Sequence, residues 1–296
     1  MLVLWCCFAA VQQLLFRLFR FGFMLGCALV VLLALYHRQV FSEDCCGQQT
    51  WKVSLHGSIA DPRIEESSGL VHARNRLFWT HNDDDDYNLY LISDTGTTRA
   101  VWPVAVQNFD WEEITSDRAG HLYVGNFGNN FNTRKFLRIW KLDPANRKIE
   151  GFMGIKYASQ TSFPPWWPAD MRYDCEAMVH AGDSLYLFTK NKDERSTDLY
   201  ALPDVPGQYT LHKKQTLSLL GMVTGAAVSP DGKALALLTY QRIYIFRINP
   251  GFVISGTPTL CIPVWQGRQM EAITYWGRDS LLITNEQRDI FLVSKQ

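Results

Sequence analysis

The stretch Asp174-Cys-Glu-Ala-Met-Val-His180 is one of five similar segments that recur along this chain. Each segment opens a short apolar run, and the five begin at Glu66, Asp110, Asp174, Val223 and Gln269. A turn and a second apolar run follow within about ten residues, and a third run rich in aromatic and β-branched residues comes next, so each unit predicts short antiparallel strands.

The spacing of these units identifies the fold class. Aligned on Ser68, Glu112, Glu176, Gly225 and Glu271, they are 44, 64, 49 and 46 residues apart. Four-stranded blades of β-propellers repeat at about 40 to 50 residues, so the sequence predicts an all-β propeller of about five four-stranded blades. The long interval contains Phe163-Pro-Pro-Trp-Trp-Pro168, which cannot be an interior strand; it is either an insertion or a degenerate sixth blade.

The chain termini bear on how the ring closes. After Glu271 only enough chain remains for three strands, whereas the segment from Trp51 to Ile59 alternates like a strand and precedes the first repeat. We expect the 51–59 strand to pair with the last blade, because closure of the ring removes both open sheet edges.

The first forty-five residues differ from the rest. Arg17 and Arg20 precede an uncharged stretch from Phe21 to Tyr36, which would rise about 24 Å as a helix. Basic residues before such a stretch favour a cytoplasmic N-terminus. The sequence therefore predicts a hydrophobic signal-anchor or cleaved signal segment over 1–45 and a propeller over 46–296, either membrane-anchored outside the cytoplasm or secreted.

Composition excludes some functions. Lys plus Arg and Asp plus Glu both number 29, so no overall field attracts nucleic acid, and no nucleic-acid partner is expected. The seven cysteines show no paired zinc or redox spacing. Cys175 and Cys261 are either a disulfide or two separately buried thiols.

If the repeats form a propeller, the start of each inner strand and the loop after each second strand lie at one end of the channel. Glu112, Glu176 and Glu271 then occupy equivalent positions, and Asp110 and Asp174 each precede one of them by two residues. The second-strand ends add the polar residues His81, Asn82, Asp83, Asn126, Asn129, Lys190, Asn285 and Glu286.

Carboxylates gathered around a channel repel one another unless a cation offsets them. Carboxylate and amide oxygens suit a hard ion, so we expect Ca²⁺ before Mg²⁺, held by Glu112, Glu176 and Glu271. The alternative is that the acids cap strands and bond backbone amides, with Lys190 as counter-ion. The acidic run Asp83 to Asp86 lacks the spacing of an EF-hand and is interpreted as a solvated turn.

Several motifs resemble those of an uncharacterised family of exported bacterial β-propellers, which is similar to the SdiA-regulated and esterase-like-phytase propellers. The resemblance covers roughly Leu55 to Val293. It rests on the motifs Ser67-Ser-Gly-Leu70, Trp79-Thr-His-Asn-Asp83, Asp110-Trp-Glu-Glu113, Gly125-Asn-Phe-Gly-Asn129, Asp174-Cys-Glu-Ala177, Leu187-Phe-Thr-Lys190 and Glu271-Ala-Ile273. It implies the fold and a bacterial envelope location, but no reaction.

The expected function is therefore a ligand-binding or scaffold propeller outside the cytoplasm, with a small molecule or an envelope protein as partner. The competing hypothesis is a metal-dependent hydrolase of lactones or phosphoesters, so whether the chain is an enzyme stays open. Trp79, Trp111, Phe127 and the Trp166-Trp167 pair either line a pocket or pack between blades.

Overall fold

A computed structural model describes residues 51–264 and 269–296, so the predicted 1–45 segment lies outside the described residues. Within those ranges no helix has the length and apolar character needed to cross a membrane. A 3-10 helix covers Pro168–Asp170. The strands are β1 (Trp51–Ser58), β2 (Gly69–Arg74), β3 (Leu77–His81), β4 (Asn88–Ser93), β5 (Thr98–Pro103), β6 (Trp111–Ser116), β7 (Leu122–Asn126), β8 (Leu137–Asp143), β9 (Lys148–Tyr157), β10 (Cys175–Ala181), β11 (Ser184–Thr189), β12 (Ser196–Pro203), β13 (Gly207–Leu211), β14 (Gln215–Ser218), β15 (Val223–Val228), β16 (Ala234–Thr239), β17 (Arg242–Asn249), β18 (Val253–Ile254), β19 (Leu260–Pro263), β20 (Met270–Tyr275), β21 (Ser280–Asn285) and β22 (Asp289–Lys295).

These strands form five sheets, each of which is one blade. The first is β2-β3-β4-β5, the second β6-β7-β8-β9, the third β10-β11-β12-β14, and the fourth β15-β16-β17-β19. The fifth is β20-β21-β22 completed by β1, with Trp51 opposite Lys295 and Ser58 opposite Asp289. The all-β, five-bladed prediction is confirmed. In the long interval the described chain forms a loop and the 3-10 helix, with no sixth blade between β9 and β10.

The inner strands close a ring. β2 contacts β6, β6 contacts β10, β10 contacts β15, β15 contacts β20, and β20 returns to β2. Because each inner strand begins at the same end of the channel, equivalent residues of distant segments meet around one axis. One further link joins neighbouring blades, since β13 pairs in parallel with β9 and adds an outer strand to the second blade.

The core lies between the blades. Each pair of neighbouring blades shares a cluster of buried apolar side chains. Trp111 and Phe127 are fully buried in two of these clusters, so both pack between blades and line no open pocket. Cys175 and Cys261 lie in different clusters as separate buried thiols, so the disulfide alternative is wrong.

Candidate functional site

A β-bulge positions one residue of each of four inner strands at the channel end. In three blades the inner strand has one extra residue relative to the second strand, and this residue has no partner in the regular hydrogen-bond ladder. The three residues are Glu112 in β6, Glu176 in β10 and Glu271 in β20. The fourth residue is Thr224, since the β15 register shift falls between Val223 and Gly225. The alignment of Gly225 with the glutamates is therefore wrong by one residue, because bulge position depends on strand pairing and not on sequence similarity.

The structure brings five carboxylates together at this end. One group consists of Glu112, Asp174 and Glu176, all buried, with one oxygen of each within 4.8 Å of the others. A second group consists of Asp83, Asp110 and Glu112, so Glu112 belongs to both. Sequence reasoning named all five residues but assigned the metal to Glu112, Glu176 and Glu271, and Glu271 belongs to neither group.

Loop backbones hold the aspartates in place. The carbonyl of Asp83 accepts the N–H of Trp111 at 2.7 Å, and the carbonyl of Asp174 accepts the N–H of Lys190 at 2.8 Å. The carbonyl of Asp110 accepts the N–H of Gly128 at 3.2 Å. Each aspartate is therefore bonded to the loop or strand beside it, which fixes the direction of its side chain.

Gly128 allows the carboxylates of Glu112 and Asp110 to lie against the backbone of the β7 to β8 connection. A Cβ atom at Gly128 would lie 2.2 Å from Oε1 of Glu112 and 2.5 Å from Oδ2 of Asp110. Real Cβ atoms do not come this close to oxygen, so any other residue at position 128 displaces the two carboxylates. Carboxylate atoms of Glu112 and Asp110 occupy the space that a side chain at position 128 would need.

Three oxygens of the cluster lack a hydrogen-bond partner. They are Oδ1 of Asp83, Oδ2 of Asp174 and Oε1 of Glu176, and all three atoms are buried. The exposed fraction of Asp174 is 0 % and that of Glu176 is 3 %. Buried polar atoms are nearly always hydrogen-bonded, and a missing ion is one of the standard reasons for an exception.

Basic side chains offset part of the acidic charge. Nζ of Lys190 lies 3.2 Å from Oε2 of Glu176, and Nζ of Lys192 lies 3.5 Å from Oδ2 of Asp174. Nη1 of Arg134 lies 3.6 Å from Oδ2 of Asp110. The Lys190 contact is the shortest of the three, and it exceeds the roughly 2.7–2.9 Å of a strong charged hydrogen bond. Within the described chain these three cations face five carboxylates.

Burial and neighbouring carboxylates raise the pKa values of the clustered carboxyl groups. Burial, with Glu176 and Asp83 as the next causes, raises the pKa of Glu112 well above its usual range. Burial and the Asp174 carboxylate raise the pKa of Glu176 in the same way, although Lys190 opposes the change. Burial and Asp110 raise the pKa of Asp83 to about 7. Without a cation the cluster therefore retains protons near neutral pH.

Glu271 lies at the edge of this region and interacts with other groups. Burial raises its pKa to about 8, and Glu286 adds to the rise while Lys190 opposes it. Nε2 of Gln269 donates a hydrogen bond to Glu286. Nζ of Lys190 also lies 5.4 Å from the ring centroid of Tyr240.

The predicted amide residues mainly organise loops. Asn82 accepts the N–H groups of Glu65 and Glu66, and Asn126 donates from Nδ2 to the carbonyl of Gln107. Asn285 accepts the N–H of Asp289. The amide side chains of these three residues are engaged with backbone groups.

Two other predicted residues, Asn129 and His81, are buried near the channel mouth. Asn129 donates its backbone N–H to Oδ1 of Asp174 at 2.7 Å, so its loop holds the cluster directly. His81 is fully buried, its Nδ1 donates to the carbonyl of Asn82 at 2.9 Å, and its Nε2 has no partner. Burial lowers the pKa of His81 to about 4, which keeps the ring neutral.

Sequence reasoning missed Glu113. Its buried carboxylate accepts the N–H of Ile114 at 3.0 Å and that of Ala226, from the fourth blade, at 3.1 Å. Burial raises the pKa of Glu113 well above its usual range, and the backbone N–H groups of Ala226, Ile114, Met178 and Leu70 oppose the rise, so this side chain faces the inner strands of four blades and bonds two of them. The equivalent positions carry the small residues Gly69, Ala177, Gly225 and Ala272, a pattern that marks room for a single large side chain at the axis.

A second polar group lies at the opposite end of the channel. Asp117, His180 and Asp204 bring ligand atoms within 4.8 Å of one another beside a cleft of about 1120 Å³. His180 is paired with Asp204 at 2.8 Å, and the Tyr123 hydroxyl lies 3.2 Å from Asp117 and 3.3 Å from Asp204. Asp117, His180 and Asp204 each have a hydrogen-bond partner, and none of them contributes a buried atom without one, whereas the channel cluster contributes three.

Comparisons with known proteins bear on the fold alone. No family model matches the chain, and no curated protein does. Similar solved structures include a catalytically inactive virginiamycin B lyase from Staphylococcus aureus with quinupristin, which is 12 % identical over 80 % of this chain and 69 % of that chain, with a TM-score of 0.43. The β-propeller domain of Cps50 (Swd1) from Myceliophteria thermophila is 11 % identical over 83 % of this chain and 100 % of that chain, with a TM-score of 0.43. The WD40 repeats of RRP9 are 9 % identical over 86 % of this chain and 99 % of that chain, with a TM-score of 0.42.

The assignment of five blades therefore rests on the strand order of this chain. The resemblance to exported bacterial propellers stays a prediction.

Proposed function

We propose that this chain is an extracytoplasmic β-propeller that binds a divalent cation, Ca²⁺ before Mg²⁺, at the channel mouth and holds a ligand beside it. The observation that supports the proposal most is a pair of buried oxygens without a hydrogen-bond partner, Oε1 of Glu176 and Oδ2 of Asp174, the second of which faces the Lys192 ammonium at 3.5 Å. Export is inferred from the uncharged stretch Phe21 to Tyr36.

The donor set fits a hard cation. Glu112, Asp174 and Glu176 offer carboxylate oxygens from within 4.8 Å of one another. Ca²⁺ takes six to eight oxygen ligands and tolerates irregular geometry, whereas Mg²⁺ demands a near-ideal octahedron. Three carboxylates leave coordination positions for water or for oxygen atoms of a ligand, which is how such a site binds a partner.

One observation favours the second candidate function, a metal-dependent hydrolase of lactones or phosphoesters. Asp83 has a pKa of about 7 and lies beside Glu112 in the second acidic group. A carboxylate with a pKa near the working pH is suited to take a proton from water as a general base. The cation would polarise the substrate oxygen when bound.

Thermal melting of the full chain, in EDTA and then in Ca²⁺, tests the cation. At about 100 times the Kd, Ca²⁺ stabilises the folded form by about 2.7 kcal/mol, which raises Tm by roughly 5 to 10 °C. Glu176→Gln is expected to abolish this rise. The matched control is Glu150→Gln, which changes a partly exposed glutamate whose carboxylate lies 3.6 Å from Nε2 of His121. Equal melting curves in EDTA and Ca²⁺ would refute the cation proposal.

Asp83→Asn separates binding from hydrolysis. The enzyme hypothesis expects turnover of a member of a lactone and phosphoester panel by the wild type. It also expects loss of that turnover in Asp83→Asn with the Ca²⁺ effect on Tm retained. Absence of turnover with a clear Ca²⁺ effect leaves the binding function.

A further inference from the structure

The exposed aromatic side chains of the described chain are concentrated at one end of the propeller. They lie in the connections that carry Asp83, Asp110, Gly128 and Asp174, and so surround the carboxylate cluster. They are Tyr87, Phe109, Phe131, Phe136, Trp166 and Trp167. Exposed apolar side chains that gather at one face of a protein are candidates for a recognition surface.

Two of these rings border a cavity of their own. Trp166 is 89 % exposed and Trp167 71 % exposed, and both line a cavity of about 530 Å³ between β9 and β10. This volume lies in the range of small-molecule sites. Ring, hydroxyl and carboxylate groups share its wall, and they belong to Trp166, Trp167, Tyr173, Ser159, Thr161 and Asp170.

The loop that carries the tryptophans is held rigid. Pro164, Pro165 and Pro168 each fix a φ angle, and the N–H of Asp170 donates to the carbonyl of Trp167 at 2.9 Å. Nζ of Lys135, from the β7 to β8 connection, lies 5.5 Å from the ring centroid of Phe163. A rigid loop that presents two uncovered rings loses little freedom when a ligand covers them.

We infer that this cavity, which we call the tryptophan groove, binds a carbohydrate. A pyranose ring has a flat face of C–H groups that packs on an aromatic ring, and hydroxyl groups at its edge that bond to Ser159, Thr161 and Asp170. The hydroxyl groups of Ser159, Thr161 and Ser162 in the wall offer hydrogen-bond partners, which a saccharide uses and a hydrocarbon interior does not. The Asp170 carboxylate in the wall disfavours both an anionic lipid surface and a phosphate.

The tryptophan groove adjoins the carboxylate cluster. Tyr173 lines the groove and directly precedes Asp174. Nδ2 of Asn129 donates to the carbonyl of Tyr173 at 3.2 Å while its backbone N–H donates to Asp174. The groove itself does not need the cation, so this inference goes beyond the proposed function.

Calorimetric titration of the full chain tests the groove, in EDTA and in a polyoxyethylene detergent that carries no sugar. The probes are cellohexaose, chitohexaose, laminarihexaose and maltohexaose. We expect saturable binding of at least one, weakened about tenfold or more when Trp166→Ala and Trp167→Ala are combined. Val253→Ala, at another exposed apolar residue, is the control and should leave the affinity unchanged.

Three results would overturn the inference. The first is that no hexasaccharide binds, and the second is that binding is equal in the tryptophan double variant. The third is that the chain ignores hexasaccharides but binds phosphatidylcholine vesicles through the two tryptophans. Saccharide binding in EDTA with no effect of Ca²⁺ on Tm would refute the proposed cation and leave the groove in place.

Discussion

The most informative prediction concerns pH. In EDTA, raising the pH from 6.5 to 8.5 is expected to destabilise the propeller. Burial raises the pKa of Asp83 to about 7 and that of Glu271 to about 8, so the folded state holds these protons more tightly than the unfolded chain does. The stability they contribute is complete below their ordinary pKa near 4 and is lost as the pH rises through 7 and 8.

The pH window is chosen because of His81. Its pKa is lowered to about 4 in the folded state, so the stability it contributes is present above about 6.5 and is lost as the pH falls through about 4. Between pH 6.5 and 8.5 the His81 contribution is nearly constant. The slope in this window therefore reports the carboxyl groups.

The part of the effect that Asp83 and Glu271 contribute follows from their two pKa values. Each pH unit over which only the folded state still holds the proton costs about 1.36 kcal/mol. Over this window the loss is about 2 kcal/mol for Glu271 and about 1 kcal/mol for Asp83. A total of about 3 kcal/mol lowers Tm by roughly 6 to 12 °C.

Far-UV circular dichroism melts of the full chain measure this slope. Ca²⁺ binds the ionised cluster, so it should restore Tm more at pH 8.5 than at pH 6.5. The double variant Asp83→Asn Glu271→Gln should reduce the slope in EDTA, with Glu112 and Glu176 accounting for the remainder, and Glu150→Gln should leave it unchanged. The reasoning fails if wild-type Tm in EDTA is constant across the window, or if the double variant keeps the full slope.

Two further substitutions test the geometry of the channel. Gly128→Ala should abolish the Ca²⁺ effect on Tm, because the new Cβ atom would clash with two carboxylates. The control is Gly256→Ala, whose Cβ atom enters open space and should leave the Ca²⁺ effect unchanged. A normal Ca²⁺ effect in Gly128→Ala would contradict the placement of the cluster. Glu113→Ala leaves the buried N–H groups of Ile114 and Ala226, from two blades, without their acceptor and should lower the free energy of unfolding by about 3 kcal/mol or more in urea titration. Glu150→Ala, at a partly exposed residue, should change it by less than about 0.5 kcal/mol, and equal values for the two variants would exclude the bridging role.

The acidic residues of the cluster could be predicted from the sequence, but their grouping could not. Asp174 and Glu176 follow directly from the repeat pattern, whereas the absence of Glu271 from both acidic groups does not. The spacing of side chains around a channel depends on strand tilt and loop path. Those features arise from contacts between blades, which a linear repeat does not record.

By itself the sequence determined the architecture: five repeats of blade length, a first strand left over for the last sheet, and acidic residues at the start of inner strands. These features follow from the alternation of apolar and polar residues and from the turn-forming residues between strands, and both can be recognised from neighbouring positions in the sequence. Only the tertiary structure decided that Thr224 and not Gly225 sits at the fourth bulge, that Glu113 spans the axis, and that Trp166 stays exposed while Trp111 is buried. Strand register and burial depend on which distant side chains become neighbours, and that is settled only when the ring closes.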